Sequence, residues 1–271
     1  MELLSESAIK VSSYKRKYWQ YQYKLAWEYL IPQMLAWGFD PKGKEVLDIG
    51  CAEGGAMAAL EDHGAFCTGI EISPSRVELG KILCNENHRR ESQFIVGDFL
   101  ADSLREILPG YYDLLLLRDV FEHLPEKTRA LERLRSLLKD KGKILITFPP
   151  FYSPFGGHQQ MLSSKFKYVP YVHLLPEPFF GLWSNWLGQK EANRFILSEM
   201  RFFRQERLSL AAFEKLVAKK SLKIVRKKFY LSSPSHKYRY GFKVIEGGPL
   251  GGVPILREFF MTGAAYFLAA A

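Results

Sequence analysis

From residue 44 onward, short apolar runs alternate with stretches whose apolar residues recur every three to four positions. That alternation predicts βαβ units and a parallel sheet. The runs place strands at Glu45–Ile49, Phe66–Glu71, Gln93–Val96, Tyr112–Leu117 and Lys143–Phe148, with helices near Gly55–His63, Pro74–Asn87 and Glu126–Leu138. Leu114 to Leu117 are consecutive leucines, so both faces of that strand are apolar, as a central parallel strand requires. The Glu126–Leu138 helix sets Leu131, Leu134, Leu137 and Leu138 on one face, and Gly142 is expected to stop it.

After Phe148 the alternation breaks. Residues 149–200 are dense in proline, glycine and aromatic residues and predict an insertion or lid after the fifth strand, without sustained periodicity. A helix at Leu210–Lys219 and strands near Ile224–Tyr230 and Tyr240–Ile245 follow. The aromatic, basic stretch from Tyr14 to Tyr29 reads as helical. It belongs to an N-terminal cap over residues 1–43, ahead of a main domain at 44–271. The apolar tail Phe259–Ala271 is too short for a bilayer, which needs about 20 apolar residues, and is read as a packed terminal segment with no weight on its closing alanines.

The 38 Lys and Arg against 29 Asp and Glu leave a net charge of +9. That surplus favours anionic partners, although basic residues spread along the chain equally describe a solvated surface. Cys51, Cys67 and Cys84 lack CxxC spacing, which argues against a disulfide framework or a zinc site. Residues Met1 to Lys10 do not read as a signal peptide, so cytoplasm is the expected location.

The strongest chemical signal is Val46-Leu-Asp-Ile-Gly-Cys-Ala-Glu-Gly-Gly55, a strand running into a small-residue turn and then a helix. Small residues let the backbone approach a ligand, and the helix start offers free N–H groups. Gly50-x-Ala52-x-x-Gly55 also approximates the dinucleotide fingerprint. Asp48, just before the turn, would face a pyrophosphate unfavourably but suits the ammonium of a methionine moiety. Glu71 ends the second strand, where a carboxylate can hold ribose hydroxyls for either cofactor. Asp98, after the third strand, can accept from an adenine amino group.

VLDIGCAEGG, GIEIS, FIVGDF, YDLLLLRDVFEHLP and LLKDKGKILITFP, in that order, resemble the class I S-adenosylmethionine methyltransferases. The resemblance implies an α/β fold: a Rossmann-like, seven-stranded, mostly parallel sheet with helices on both faces and an antiparallel last strand. It implies that Gly50, Ala52 and Gly54 wrap the methionine end of S-adenosylmethionine, Glu71 holds the ribose and Asp98 reads the adenine. Cys51, Ile72, Phe99 and Arg118, beside these positions, complete the expected cofactor-binding set with Asp48. Ala52 stands where the family usually has a glycine.

The segment Arg118-Asp-Val-Phe-Glu-His-Leu-Pro125 resembles the D-V-x-E-H-L-P run of small-molecule O- and N-methyltransferases. His123 is the first candidate base, His158 the second, and Glu122 joins them as a catalytic candidate. Asp119, Glu122 and His123 also follow a D-x-x-E-H pattern similar to the metal-binding segment of small-RNA 2′-O-methyltransferases, with His158 as a fourth ligand. Enzymes without metal carry the same residues here, so a divalent metal is the less favoured reading.

The insertion's Phe151, Tyr152, Phe155, His158, Gln159, Trp183 and Trp186 offer walls for an acceptor pocket. Arg201, Arg204, Arg207, Lys227, Lys228, Lys237 and Arg239 offer charge for an anionic acceptor. The expected reaction is methyl transfer to oxygen or nitrogen of a small molecule such as a sugar, lipid precursor or secondary metabolite. The rivals are an RNA methyltransferase, a nicotinamide-dependent oxidoreductase and a non-catalytic cofactor-binding module. Against RNA stand the absence of an appended RNA-binding motif and the position of Pro149-Pro150, after the fifth strand rather than the fourth.

Overall fold

The five strands expected between residues 45 and 148 all form in the computed structural model, which describes residues 12–87, 92–108 and 110–271. The first part of the expected N-terminal cap, residues 1–11, lies outside them. The strands are β1 (Glu45–Ile49), β2 (Phe66–Glu71), β3 (Gln93–Val96), β4 (Tyr112–Arg118), β5 (Leu138–Phe148), β6 (Leu222–Ser232), β7 (Ile245–Glu246) and β8 (Gly263–Ala270). Their hydrogen-bonded order is β3-β2-β1-β4-β5-β8-β6-β7. The helices are α1 (Ser13–Leu25), α2 (Ile31–Ala36), α3 (Gly55–Asp62), α4 (Pro74–Glu86), α5 (Ser103–Ile107), α6 (Lys127–Leu137), α7 (Glu177–Leu187), α8 (Glu191–Glu206), α9 (Leu210–Ala218), α10 (Pro234–Tyr240) and α11 (Pro254–Phe260). The chain divides into two units, Met1–Leu116 and Leu117–Ala271.

In the first unit β1 runs parallel to β2, from Glu45 opposite Phe66 to Ile49 opposite Ile70, and β2 runs parallel to β3. This register carries the C-terminal ends of all three strands to the same side. Helix α1 packs through Trp19 against Ala58 of α3 and Leu79 and Leu83 of α4. A π-helical turn at Ala26–Leu30 joins α1 to α2. Pro32, at the start of α2, has no N–H and its ring crowds the carbonyl four residues back, which a wider turn relieves.

The second unit departs from expectation in three places. Helix α6 ends at Leu137 and β5 begins at once, so Gly142 lies inside a strand and stops no helix. Leu137 and Leu138 are buried in either geometry, so the apolar face does not locate the boundary.

The apolar tail is β8, antiparallel to β5 (Ile144 opposite Leu268 through Phe148 opposite Ala264) and to β6 (Leu222 opposite Ala270 through Tyr230 opposite Gly263). The strand expected near Tyr240–Ile245 is instead the end of α10, a connection and the two-residue edge strand β7. Eight strands therefore stand among the described residues where seven were expected; β8, the last of them, runs antiparallel to both its neighbours, and the edge strand β7 runs antiparallel to β6. Its alanines disfavour a strand by propensity, but burial along almost its whole length decides the outcome.

Residues 149–200 carry more order than their composition suggests. In α8, Asn193, Ile196, Leu197, Met200 and Phe203 form a buried face at helical spacing. Together with Leu162, Val172, Phe180 and Leu187, the apolar members of that face build a core of the insertion's own.

Glu214 of α9 fastens the last strands. It accepts from the Tyr266 hydroxyl at 3.0 Å and pairs with Lys227 at 2.8 Å and Arg257 at 2.9 Å. Burial alone would raise the Glu214 pKa, but hydrogen bonds from Lys227 and Arg257 hold it below the usual value. No helix among the described residues is long and apolar enough to cross a membrane. Because β8 is a central strand, Phe267→Ala is expected to lower the unfolding free energy by about 3–5 kcal/mol in urea titrations; a loss under 1 kcal/mol is the result for a dispensable tail.

Candidate active site

The turn after β1 is built from left-handed backbone. Gly50 (φ 71°), Ala52 (φ 55°) and Gly54 (φ 76°) all take positive φ, which explains the small residues and the cost of a side chain at Ala52. A Cβ on Gly54 would lie 2.6 Å from the Phe94 ring. The N–H groups of Gly50 and Cys51 bond the Ile70 carbonyl, and Ala52 N–H donates to Glu71 Oε2 at 3.0 Å. Glu71 Oε1 accepts from Ser73 N–H at 3.0 Å, so one buried carboxylate ties the β1 turn to the end of β2.

Asp48 is buried on β1, and Cys51 is buried with its thiol pKa pushed up by burial and by nearby Asp48 and Glu71. Ile72 is largely exposed, whereas the Phe99 side chain is buried and contributes packing. Asp98 is exposed and accepts from Leu100 N–H at 2.9 Å, so it caps its turn while remaining open to a ligand. Arg118 closes β4, half-buried.

The second unit gathers Glu122, His123 and His158, whose ligand-type atoms lie within 4.8 Å of one another. His123 Nε2 is 3.9 Å from Glu122 Oε1, and its Nδ1 is 3.1 Å from Glu199 Oε2 on α8. The Phe203 ring packs against both histidines, at 5.0 Å from His123 and 4.5 Å from His158. Asp119 stands outside this trio among the described residues. Its N–H donates to the Thr147 carbonyl and its Oδ1 accepts from the Thr147 hydroxyl at 3.1 Å, so the D of the D-x-x-E-H pattern is held by β5.

Three environments set three protonation states. Burial pushes the Glu122 carboxyl up to about 8, with His123 opposing and Asp119 adding to the shift; both its oxygens are buried without a hydrogen-bond partner. Burial works against the His123 charge, but the Glu199 hydrogen bond and the charges of Glu122 and Glu199 raise its pKa overall. His158 falls to about 3 through burial and the positive field of His123, Arg239 and His173, so it stays neutral and is the weaker base.

A family model described as "Methyltransferase domain" matches residues 18–212, well over half of the chain. The chain belongs to that methyltransferase family. The ubiquinone biosynthesis O-methyltransferase of Coxiella burnetii is 32% identical over 109 residues, 39% of this chain and 44% of that protein. The match thus spans less than half the length of that curated relative. A solved S-adenosylmethionine-dependent methyltransferase from Clostridium acetobutylicum shares the fold at TM-score 0.56 and 10% identity, covering 92% of each chain. The magnesium protoporphyrin IX methyltransferase of Synechocystis PCC 6803 does so at TM-score 0.53 and 16% identity, over 97% of this chain and 89% of that one.

The methyltransferase donor fits the turn. Its left-handed backbone carries little side-chain bulk, and the first N–H groups of α3 follow directly, an arrangement that fits the methionine end of S-adenosylmethionine. Asp48, Glu71 and Asp98 sit on or just after β1, β2 and β3, as the resemblance implies.

Two members of these sites carry no sequence signal. Glu53, fully buried inside the turn, pairs with Lys15 at 3.3 Å and with Arg76 at 3.2 Å, tying the turn to α1 and α4. Burial opposes the Arg76 charge, and Glu53 overcomes it. Glu199 reaches His123 from a helix that composition alone did not reveal.

The insertion's aromatics mostly pack. Phe151 is buried beside His173, which bonds the Phe151 carbonyl at 2.6 Å, and Gln159 donates to the Pro154 and Val169 carbonyls. Trp183 packs on Phe166 and Phe180, while Trp186 is mostly exposed. Several of the named cations have partners within the chain: Lys227 with Glu214, Lys228 with Glu246, and Arg204 with Glu177 and the His173 and Leu175 carbonyls. A cleft of about 460 Å³ lies among Glu177, Arg201, Arg204, Gln205 and Arg207.

Glu53→Gln leaves Lys15 and Arg76 short of a counter-charge, but their side chains keep 42% and 36% exposure, which limits the loss. It is expected to cost about 1–2 kcal/mol of stability by denaturant titration and to weaken S-adenosylhomocysteine binding by calorimetry. Unchanged affinity would show that Glu53 does not shape the turn.

Proposed function

We propose that the chain transfers a methyl group from S-adenosylmethionine to an oxygen of a small-molecule acceptor, with His123 as general base. The observation that carries this reading is the Glu199–His123 pair. The carboxylate accepts the Nδ1 proton, fixing the tautomer that leaves the Nε2 lone pair free to take a proton. Asp48, Gly50, Ala52, Gly54, Glu71 and Asp98 hold the donor, which supplies an electrophilic sulfonium methyl. During methylation of the acceptor hydroxyl, His123 Nε2 would take the hydroxyl proton and Glu199 would stabilise the imidazolium formed. The O-methyltransferase name of the Coxiella burnetii relative supports oxygen over nitrogen.

A second reading gives Glu122, His123 and His158 to a divalent cation. The buried, unpartnered Glu122 carboxylate favours it, and Glu199 is then the outer carboxylate that orients a histidine ligand. The cation would hold an acceptor hydroxyl and ease its deprotonation.

One assay tests both: methyl transfer from labelled S-adenosylmethionine to phenols and vicinal diols headed by 3,4-dihydroxybenzoate. Because the His123 pKa is raised, its basic form appears as pH climbs through a value above 6.5, so the rate rises over that range. Glu199→Gln is expected to move this limb to lower pH, and His123→Ala to lower kcat by about 10²–10⁴. Full activity in His123→Ala, or no transfer to any acceptor, contradicts the base reading. Activity lost on chelation and restored by Mg²⁺ or Mn²⁺ selects the metal; chelator-insensitive turnover removes it.

A further inference from the structure

Helix α7 is apolar on two sides. Phe180 and Leu187 are buried against the insertion's core, while Phe179, Leu182 and Trp186 point outward with 64%, 73% and 60% of their surface exposed. Their spacing of three and then four residues sets them in one stripe along the solvent side. A contiguous exposed stripe of large apolar residues marks an interaction surface.

Its surroundings are basic. Phe166 meets the Trp186 ring edge-on at 6.1 Å, which brings the flanking Lys165 and Lys167 to the Trp186 end of the stripe. Asn193 of α8 bonds both the Leu187 carbonyl and Ser163 N–H, drawing the first turn of α8, with Lys190 and Arg194, to the same end. Glu191 is the carboxylate in that turn, and Glu177, at the far end of α7, is paired with Arg204.

We propose that this face docks the protein on an anionic lipid surface, with α7 lying in the interface and its stripe inserted among the acyl chains. Trp and Phe beside Lys and Arg are the composition of an interfacial helix, and a helix of about 16 Å lies on a bilayer rather than across it. A second copy fits less well. A two-fold interface through this stripe sets the four cations of one subunit near those of the other, whereas anionic head groups attract all four. Docking does not depend on the methyl-transfer reading; joined to it, the surface points to acceptors that reside in membranes.

The test is co-sedimentation with sucrose-loaded phosphatidylcholine vesicles, with and without phosphatidylglycerol. Wild type is expected to pellet with the anionic vesicles, to bind neutral ones at least tenfold more weakly, and to be released by high salt. F179S/L182S/W186S and, separately, K165E/K167E are expected to lose at least tenfold in partitioning. Unchanged S-adenosylhomocysteine binding by calorimetry shows that each variant is folded. That control also keeps a failure of the cofactor reading apart from a failure of docking, because circular dichroism reports the fold where no heat is seen. Wild type that ignores anionic vesicles, or a triple variant that binds as well, overturns the proposal. So does a wild-type dimer that the triple variant converts to monomer in sedimentation velocity, since a second copy then covers the stripe.

Discussion

One carboxylate clamps the turn that is proposed to hold the donor. Glu71, at the end of β2, accepts from the N–H of Ala52 in one direction and of Ser73 in the other. It adds to the Gly50 and Cys51 N–H bonds to the Ile70 carbonyl, and extends the tie between the turn and β2 to the left-handed Ala52. Two costs accompany that turn: positive φ at a non-glycine residue, Ala52, and full burial of Glu53. The first is local strain. The second is offset by Lys15 and Arg76, so the N-terminal helix takes part in the site and is more than a cover.

In the second unit the governing constraint is burial of charge. Glu122 is desolvated without a hydrogen-bond partner, and His158 is kept neutral by the same dry surroundings. His123 alone of the three gains a fixed carboxylate partner, and that asymmetry separates a usable base from two groups that hold or lack their protons across the neutral range. The same asymmetry suits a metal ligand oriented by an outer carboxylate. Proton acceptance and metal binding are therefore alternative uses of one geometry.

The first half of the fold was legible because its signals are local. Strands β1 to β4 are short apolar runs bounded by turns, and the small-residue bend follows β1 directly. The end of the sheet was not legible in this way. Strand β8 is rich in alanine, and burial between β5 and β6 makes it a strand, a property of distant partners. Gly142 misled for a related reason, since the chain passes from helix to strand at Leu138 without a breaker. The site shows the same division: Asp48, Glu71, Glu122 and His123 lie in motifs and carry recognisable chemistry, whereas Glu53, though inside the first motif, and Glu199 matter through partners far along the chain.

The central claim is that the Glu71-anchored turn binds a sulfonium nucleoside. Isothermal titration calorimetry with S-adenosylhomocysteine, against NAD in a parallel cell, tests it most directly. Saturable one-to-one heat with the nucleoside and none with the dinucleotide is the predicted result. Heat with NAD alone would contradict the account.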